Sequence, residues 1–266
     1  MATKNGVPYR LNLVSPGMYG TKCPYAMAPK KVTVHETDNN ASANNEVVYM
    51  IGNGNQTSFH VGIDEKEAVQ GIPFNRNAWH AGDGKNGYGN RNTISFEICK
   101  NYDPSRGTTN ISGTQLAAYN QAKANAVKVI AQVMIEENIN GVVGNVKTHN
   151  DWSGKLCPQK MLREGLWIPM RDQIIAEWCR LKNDGQQSTP VTPETPKQKK
   201  KVGNVMLLFQ EKGKVYWLVG NKYTYVEGPK HLDAIKLAMD KAGYDTWVHT
   251  NATQIKYFKK IADLVK

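Results

Sequence analysis

Thr93-Ile-Ser-Phe-Glu-Ile-Cys99 alternates along its length, with Ile94, Phe96 and Ile98 on one side of an extended chain and Thr93, Ser95, Glu97 and Cys99 on the other. A strand of that pattern buries its apolar side and presents Glu97 from the opposite one. Val32-Thr-Val-His35 repeats the arrangement: Val32 and Val34 point one way, Thr33 and His35 the other, so His35 lies on a polar face near the strand's C-terminal end. Around these two segments strand and helix patterns alternate. Residues 42–51 read as a helix, 58–64 and 67–72 as strands with Gly and Pro punctuation, and 145–149 as a short strand. A long helix opens at a Thr114 cap and carries Leu116, Tyr119, Val127, Ile130 and Val133 or Met134 on its apolar stripe, and a second helix closes the region over 172–182. That succession predicts an α/β domain.

At 266 residues the chain has room for one good core and a smaller module. The boundary lies at 185–201, rich in Pro, Thr, Gln and Lys and empty of aromatics, which reads as a linker between a domain over 1–184 and a module over 202–266. Partly polyproline-like, it can span up to about 50 Å at roughly 3.1 Å per residue. The module reads as small α+β: strands over 205–210, 215–220 and 222–226, a helix over 230–242, a strand over 246–249 and a helix over 254–265.

The net charge of +11 divides as +4, +3 and +4 over those three segments. Such a diffuse field favours any polyanion, nucleic acid or an anionic cell wall alike. With no zinc-finger spacing, RNP-like aromatic motif or clustered basic helix, no specific nucleic-acid partner is expected. The first ten residues lack the apolar run of a secretory signal, and no stretch approaches the roughly 20 apolar residues of a membrane span, so synthesis in the cytoplasm without membrane insertion is expected.

Four cysteines (Cys23, Cys99, Cys157, Cys179) are scattered without paired short spacings, so reduced thiols are the default, and Cys99 and Cys179 read as small buried hydrophobes. Cys157 stands apart, because His149 lies eight residues before it across a loop containing Gly154, which can fold back. Two imidazoles and a thiolate suit tetrahedral zinc, and three protein ligands leave a fourth position open for water. The spacing alone matches no generic metal signature. A lone histidine in a strand is more often a hydrogen-bonded structural residue, Lys155 alone reads as a solvated loop lysine, and Glu97 alone as an ordinary strand-surface carboxylate.

Eight blocks in order carry a resemblance: Gly20-Thr-Lys-Cys-Pro-Tyr25, Val32-Thr-Val-His-Glu-Thr37, Ser58-Phe-His-Val61, Gln70-Gly-Ile-Pro73, Asn77-Ala-Trp-His-Ala-Gly-Asp-Gly84, Gly89-Asn-Arg-Asn92, Ile94-Ser-Phe-Glu-Ile-Cys99 and Trp152-Ser-Gly-Lys-Leu-Cys-Pro158. From about Tyr9 to Trp178 the chain resembles the zinc-dependent N-acetylmuramoyl-L-alanine amidases of the type-2 amidase family, related in fold to peptidoglycan-recognition proteins, and among them phage and prophage endolysins of Bacillus-type hosts. The resemblance implies a central mixed β-sheet flanked by helices, with one Zn²⁺ per catalytic domain in a surface groove on His35, His149 and Cys157. It implies Glu97 and Lys155 as catalytic side chains: the carboxylate moves the water's proton to the leaving amine, and the cation steadies the oxyanion. The substrate implied is peptidoglycan, with associated wall polymers of a Gram-positive host, reached after a separate pore-former opens the membrane. A non-catalytic receptor on the same fold would have lost the thiolate, which Cys157 supplies here; a host autolytic or sporulation amidase is the other alternative. Tyr25, His60, Asn77, Trp79 and His80 are candidate substrate contacts. Tyr216, Trp217, Tyr223, Tyr225 and Trp247 are candidate wall-binding aromatics, at least half of them expected in the module's small core.

Overall fold

The computed structural model describes residues 2–185, 206–211, 214–219, 222–241 and 248–249. The chain divides into two compact units, Met1–Pro190 and Val191–Lys266. The first is built on seven strands: β1 (Thr3–Lys4), β2 (Val7–Leu11), β3 (Lys31–Glu36), β4 (Val61–Ile63), β5 (Ala68–Gln70), β6 (Thr93–Ile98) and β7 (Val146–Thr148). Their order across the sheet is β1-β2-β5-β4-β6-β3-β7. The sheet is mixed: β1 with β2 and β4 with β5 are antiparallel, whereas β2–β5, β4–β6, β6–β3 and β3–β7 are parallel. The expected central mixed sheet flanked by helices is the fold the chain adopts.

Seven helices accompany it: α1 (Tyr19–Lys22), α2 (Ala43–Gly52), α3 (Tyr88–Asn92), α4 (Gly113–Glu136), α5 (Asn150–Ser153), α6 (Gln159–Arg163) and α7 (Trp167–Gly185). The alternation in β3 and β6 decides where they pack. Val32, Val34, Ile94, Phe96 and Ile98 are fully buried and join Tyr119, Ala122, Ala126, Val129, Ile130, Val133 and Met134 of α4 and Met170 and Ile174 of α7 in the main core. On the other face α2 covers only part of the sheet, with Ala43, Val47 and Met50 packed on Phe59, Val69 and Ile72. The rest of that face, at the C-terminal ends of β3, β6 and β7, is left for polar side chains. Ser42 starts α2 by accepting the Asn45 amide at 3.2 Å.

Four expectations change. Cys179, expected as a small buried hydrophobe, is exposed on α7, whereas Cys99 is buried. The long helix starts two residues earlier, capped at Ser112 rather than Thr114, and Ser112 makes no side-chain capping bond. Leu116 lies in its first, incompletely covered turn and is 37% exposed. The closing helix begins at Trp167 instead of Asp172; Pro169 is accommodated because it falls in the first turn, where no intrahelical amide partner is needed.

In the second unit β8 (Met206–Glu211), β9 (Lys214–Val219), β10 (Lys222–Tyr225) and β11 (Val248–His249) form a sheet in the order β10-β9-β8-β11, antiparallel except for β11 beside β8, and accompany α8 (Pro229–Lys241). Leu208, Val226 and Ile235 make its core, with Val215, Trp217 and Leu232 packed against them. Trp247, the side chain of Tyr223, most of the expected linker and the expected helix over 254–265 lie outside the described residues. No described helix is long and apolar enough to cross a membrane.

Candidate metal centre and catalytic cleft

The polar face of β3 and β6 forms the floor of a cleft of about 410 Å³. His35, the penultimate residue of β3, lies beside Glu97 of β6, its register partner. From the neighbouring strand β7 the chain turns directly into α5, with His149 at the turn. Asp151 fixes that turn, its carboxylate accepting the Thr148 amide at 2.7 Å and the Thr148 hydroxyl at 2.8 Å. Gly154 ends α5 in the left-handed conformation (φ 76°) and lets the loop reverse. The loop then closes on itself, Asn150 donating its amide to the Cys157 carbonyl at 3.1 Å and its side chain to the carbonyls of Gly154 and Lys155 at 3.0 and 3.1 Å. Cys157 is thereby brought back over His35.

Ligand atoms of His35, His149 and Cys157 lie within 4.8 Å of one another, and all three residues are buried. A zinc ion bonded to nitrogen at about 2.0–2.1 Å and to sulfur at about 2.3 Å sets a tetrahedral nitrogen–sulfur edge of roughly 3.6 Å. Cys157 Sγ stands 3.6 Å from His35 Nδ1. Geometry and donor chemistry both fit a metal. Gly82 (φ 68°) closes the cluster from the side: a Cβ there would lie 3.1 Å from His149 Nε2 and 2.9 Å from Ser153 Oγ.

Glu97 reaches the same centre, one carboxylate oxygen 4.0 Å from His35 Nδ1, with its side chain 17% exposed. Lys155, exposed on the loop, lines the cleft together with Glu97, Glu46 and Asp38. Burial, reinforced by neighbouring Glu46 and opposed by Lys155, pushes the Glu97 carboxyl up to about 8. A carboxyl so placed exchanges its proton near neutral pH. Burial, and then the adjacent imidazoles, holds His35 well below the ordinary imidazole range, and burial followed by Lys155 lowers His149 to about 4. Both rings are therefore neutral, with a lone pair to give. Burial raises the Cys157 thiol; a cation in the cluster reverses that preference.

The candidate substrate contacts separate. His60 and Asn77 are completely buried. His60 uses both ring nitrogens, on Ser95 at 2.9 Å and the Arg76 carbonyl at 3.0 Å, and Asn77 accepts the Tyr25 amide at 2.8 Å. Both are enclosed within the protein, unlike the exposed positions expected of substrate contacts. Trp79 and Tyr25 meet edge to face at 5.9 Å and line a second cleft of about 610 Å³ with Lys85 and Asn90, next to the first. His80 does border the metal cleft, but it is 6% exposed and bonded to His35 Nε2 at 3.0 Å. In the second unit Trp217 packs on the core, while Tyr216 and its register partner Tyr225 share the other face, their rings 6.0 Å apart, with Tyr225 44% exposed.

One residue essential to this architecture escaped the sequence reading. Glu36 follows His35 and so points to the apolar side, where it accepts the Lys160 amide at 2.7 Å and the Tyr119 hydroxyl. It ties the start of α6, just past Cys157, to β3 and α4. A carboxylate in the apolar phase of Val32 and Val34 was the available signal.

Residues 25–160 match the N-acetylmuramoyl-L-alanine amidase family model. The chain is 38% identical over 258 residues to N-acetylmuramoyl-L-alanine amidase CwlA of Bacillus subtilis (strain 168), covering 96% of this chain and 88% of that protein. It is 45% identical over 171 residues to N-acetylmuramoyl-L-alanine amidase XlyB of the same organism, covering 64% of this chain and 50% of XlyB. Among solved structures, that of PlyL superposes with a TM-score of 0.56 at 50% identity, covering 63% of this chain and 97% of PlyL.

Proposed function

This chain belongs to the N-acetylmuramoyl-L-alanine amidase family, and on that premise we propose that its cleft hydrolyses the amide between N-acetylmuramic acid and L-alanine in peptidoglycan. The observation that carries the reading is the convergence of three metal donors, His35, His149 and Cys157, in the cleft that Glu97 and Lys155 also line. Those three residues would hold one zinc ion. When bound, zinc supplies Lewis acidity, lowering the pKa of water toward about 7 and polarising a carbonyl.

The chain's own residues do the rest. Glu97, next to His35 Nδ1, takes the proton from the attacking water as its oxygen adds to the lactyl carbonyl carbon. The carbon–nitrogen bond then breaks, and Glu97 returns that proton to the departing amine of L-alanine. Lys155 places its ammonium where negative charge develops on the carbonyl oxygen. The outer face of the second unit, with Tyr216 and Tyr225, anchors the enzyme to wall polymers of a Gram-positive host and raises the local concentration of the cleft there. In this reading the protein is a lytic enzyme of the endolysin type, and the wall is its place of action.

The test is digestion of purified Gram-positive peptidoglycan with and without a chelator, with mass analysis separating new L-alanine amino termini from new reducing sugars. Chelator-sensitive release of L-alanine termini is expected. No release from several wall types would leave a wall-binding receptor as the better account.

A further inference from the structure

His35 must present a bare Nδ1 to the metal, because that nitrogen faces Cys157 Sγ at 3.6 Å. A neutral imidazole carries one proton on either nitrogen, so something must place it on Nε2. The nitrogen opposite Nδ1 meets another imidazole, His80 Nδ1, at 3.0 Å, which can act as donor or acceptor and so settles nothing by itself.

The direction is set one step further back. Thr93 Oγ1 lies 2.7 Å from the Gly89 carbonyl oxygen, which can only accept, so the single hydroxyl hydrogen of Thr93 is committed there. Every other partner of Thr93 Oγ1 must donate to it. Those partners are His80 Nε2 at 3.3 Å and Thr33 Oγ1 at 2.8 Å, and the Thr33 oxygen in turn accepts the Trp152 indole N–H at 3.0 Å. His80 therefore carries its proton on Nε2, leaving its Nδ1 bare to accept from His35 Nε2–H. Each hydroxyl has one hydrogen, and each is used once. Two backbone amides, of His80 and Ala81, donate to the Asn90 side chain at 2.8 Å and hold the His80 segment in place.

We propose that Thr93, acting through His80, is a positioning residue that fixes the proton of His35 on Nε2 and so presets Nδ1 as a metal-binding lone pair. The proposal rests on the reading of His35 as a ligand and deepens it. Partners behind a ligating histidine alter metal affinity by about 10–100-fold when removed. Here the partner is a second histidine whose own orientation is governed by a threonine, with Thr33 filling that threonine's remaining acceptor capacity and itself accepting from Trp152.

The experiment uses the full chain labelled with ¹⁵N at histidine, first free of metal and then titrated with zinc against a competing chelator. In metal-free wild type, the His35 ring signals are expected to report Nε2 protonated and Nδ1 bare. Thr93→Val keeps the shape and removes the hydroxyl; it is expected to shift the His35 proton toward Nδ1 and to weaken zinc binding by about tenfold or more. Thr93→Ser should restore both. A wild-type His35 protonated at Nδ1 overturns the proposal without any variant, as does a folded Thr93→Val protein in which either readout stays at its wild-type value. A wild type that binds no zinc removes the metal reading instead, while the proton position still tests the hydrogen-bond direction.

Discussion

The two faces of β3 and β6 are made by the same residues read in alternate phase, and they behave as different materials. One face carries Val32, Val34, Ile94, Phe96 and Ile98 into a fully buried core under α4 and α7. The other carries Thr33, His35, Thr93, Ser95 and Glu97, equally short of solvent for the most part, but joined by directed hydrogen bonds and open at one end to the cleft. Apolar packing tolerates small adjustments in any direction, whereas a hydrogen-bond chain has a donor and an acceptor at every step. Fold and site are thus separable in energy although they are inseparable in sequence.

The sharpest way to break that separation is Glu97→Gln, which changes the polar face alone. Metal content and thermal midpoint should stay at wild-type values while turnover on a soluble muramyl-peptide falls about 10²–10⁴-fold. Cys157→Ser serves as its counterpart, losing metal and activity together. A fully active Glu97→Gln protein would take that carboxylate out of the mechanism. Next in size is Phe96→Ala on the opposite face, expected to cost about 3–5 kcal/mol and lower the melting temperature by roughly 10 °C. Its zinc affinity, measured well below that melting point, should be unchanged; a large loss of affinity would show the faces to be coupled.

The smallest effect is expected in the second unit, where the division repeats with Trp217 inward and Tyr216 and Tyr225 outward. Tyr225→Ala should weaken retention on whole walls by about 5- to 150-fold, the roughly 1–3 kcal/mol of one aromatic stacking contact, and leave both folding and hydrolysis of a soluble muramyl-peptide intact. Unaltered retention in sedimentation with purified walls would move the anchor elsewhere.

The parts of this molecule legible from sequence are those with a period. Val32–His35 and Thr93–Cys99 announced their strands and their faces, and the apolar stripe of α4 announced the helix that covers one of them. Short elements carry no such signal: α5 and α6 have four and five residues, too few for a helical pattern or for stability without tertiary contacts, and β1 has two. Leu116 fitted the helical stripe yet lies beyond the edge of what the sheet covers. His60 and His80 could be found in the sequence but not sorted, because whether an imidazole meets a substrate, a carbonyl or another imidazole depends on which loop arrives beside it. Glu36 and Thr93 were each visible as a polar residue in a strand; their partners, Lys160 and Gly89, come from elements with no periodicity to place them.

The parallel register of β3 against β6, Val34 beside Phe96 and His35 beside Glu97, also constrains how such a chain can diverge. Loss or gain of a single residue inside either strand would rotate every later side chain to the opposite face, sending a histidine or a glutamate into the core and an isoleucine into the cleft. Substitutions in these strands can be absorbed one at a time, but length changes cannot. Variation in length belongs instead to connections such as 102–110 and 53–57, which lie outside the core or border the cleft, so descendants of this scaffold can alter what they bind far more readily than how they hold a metal.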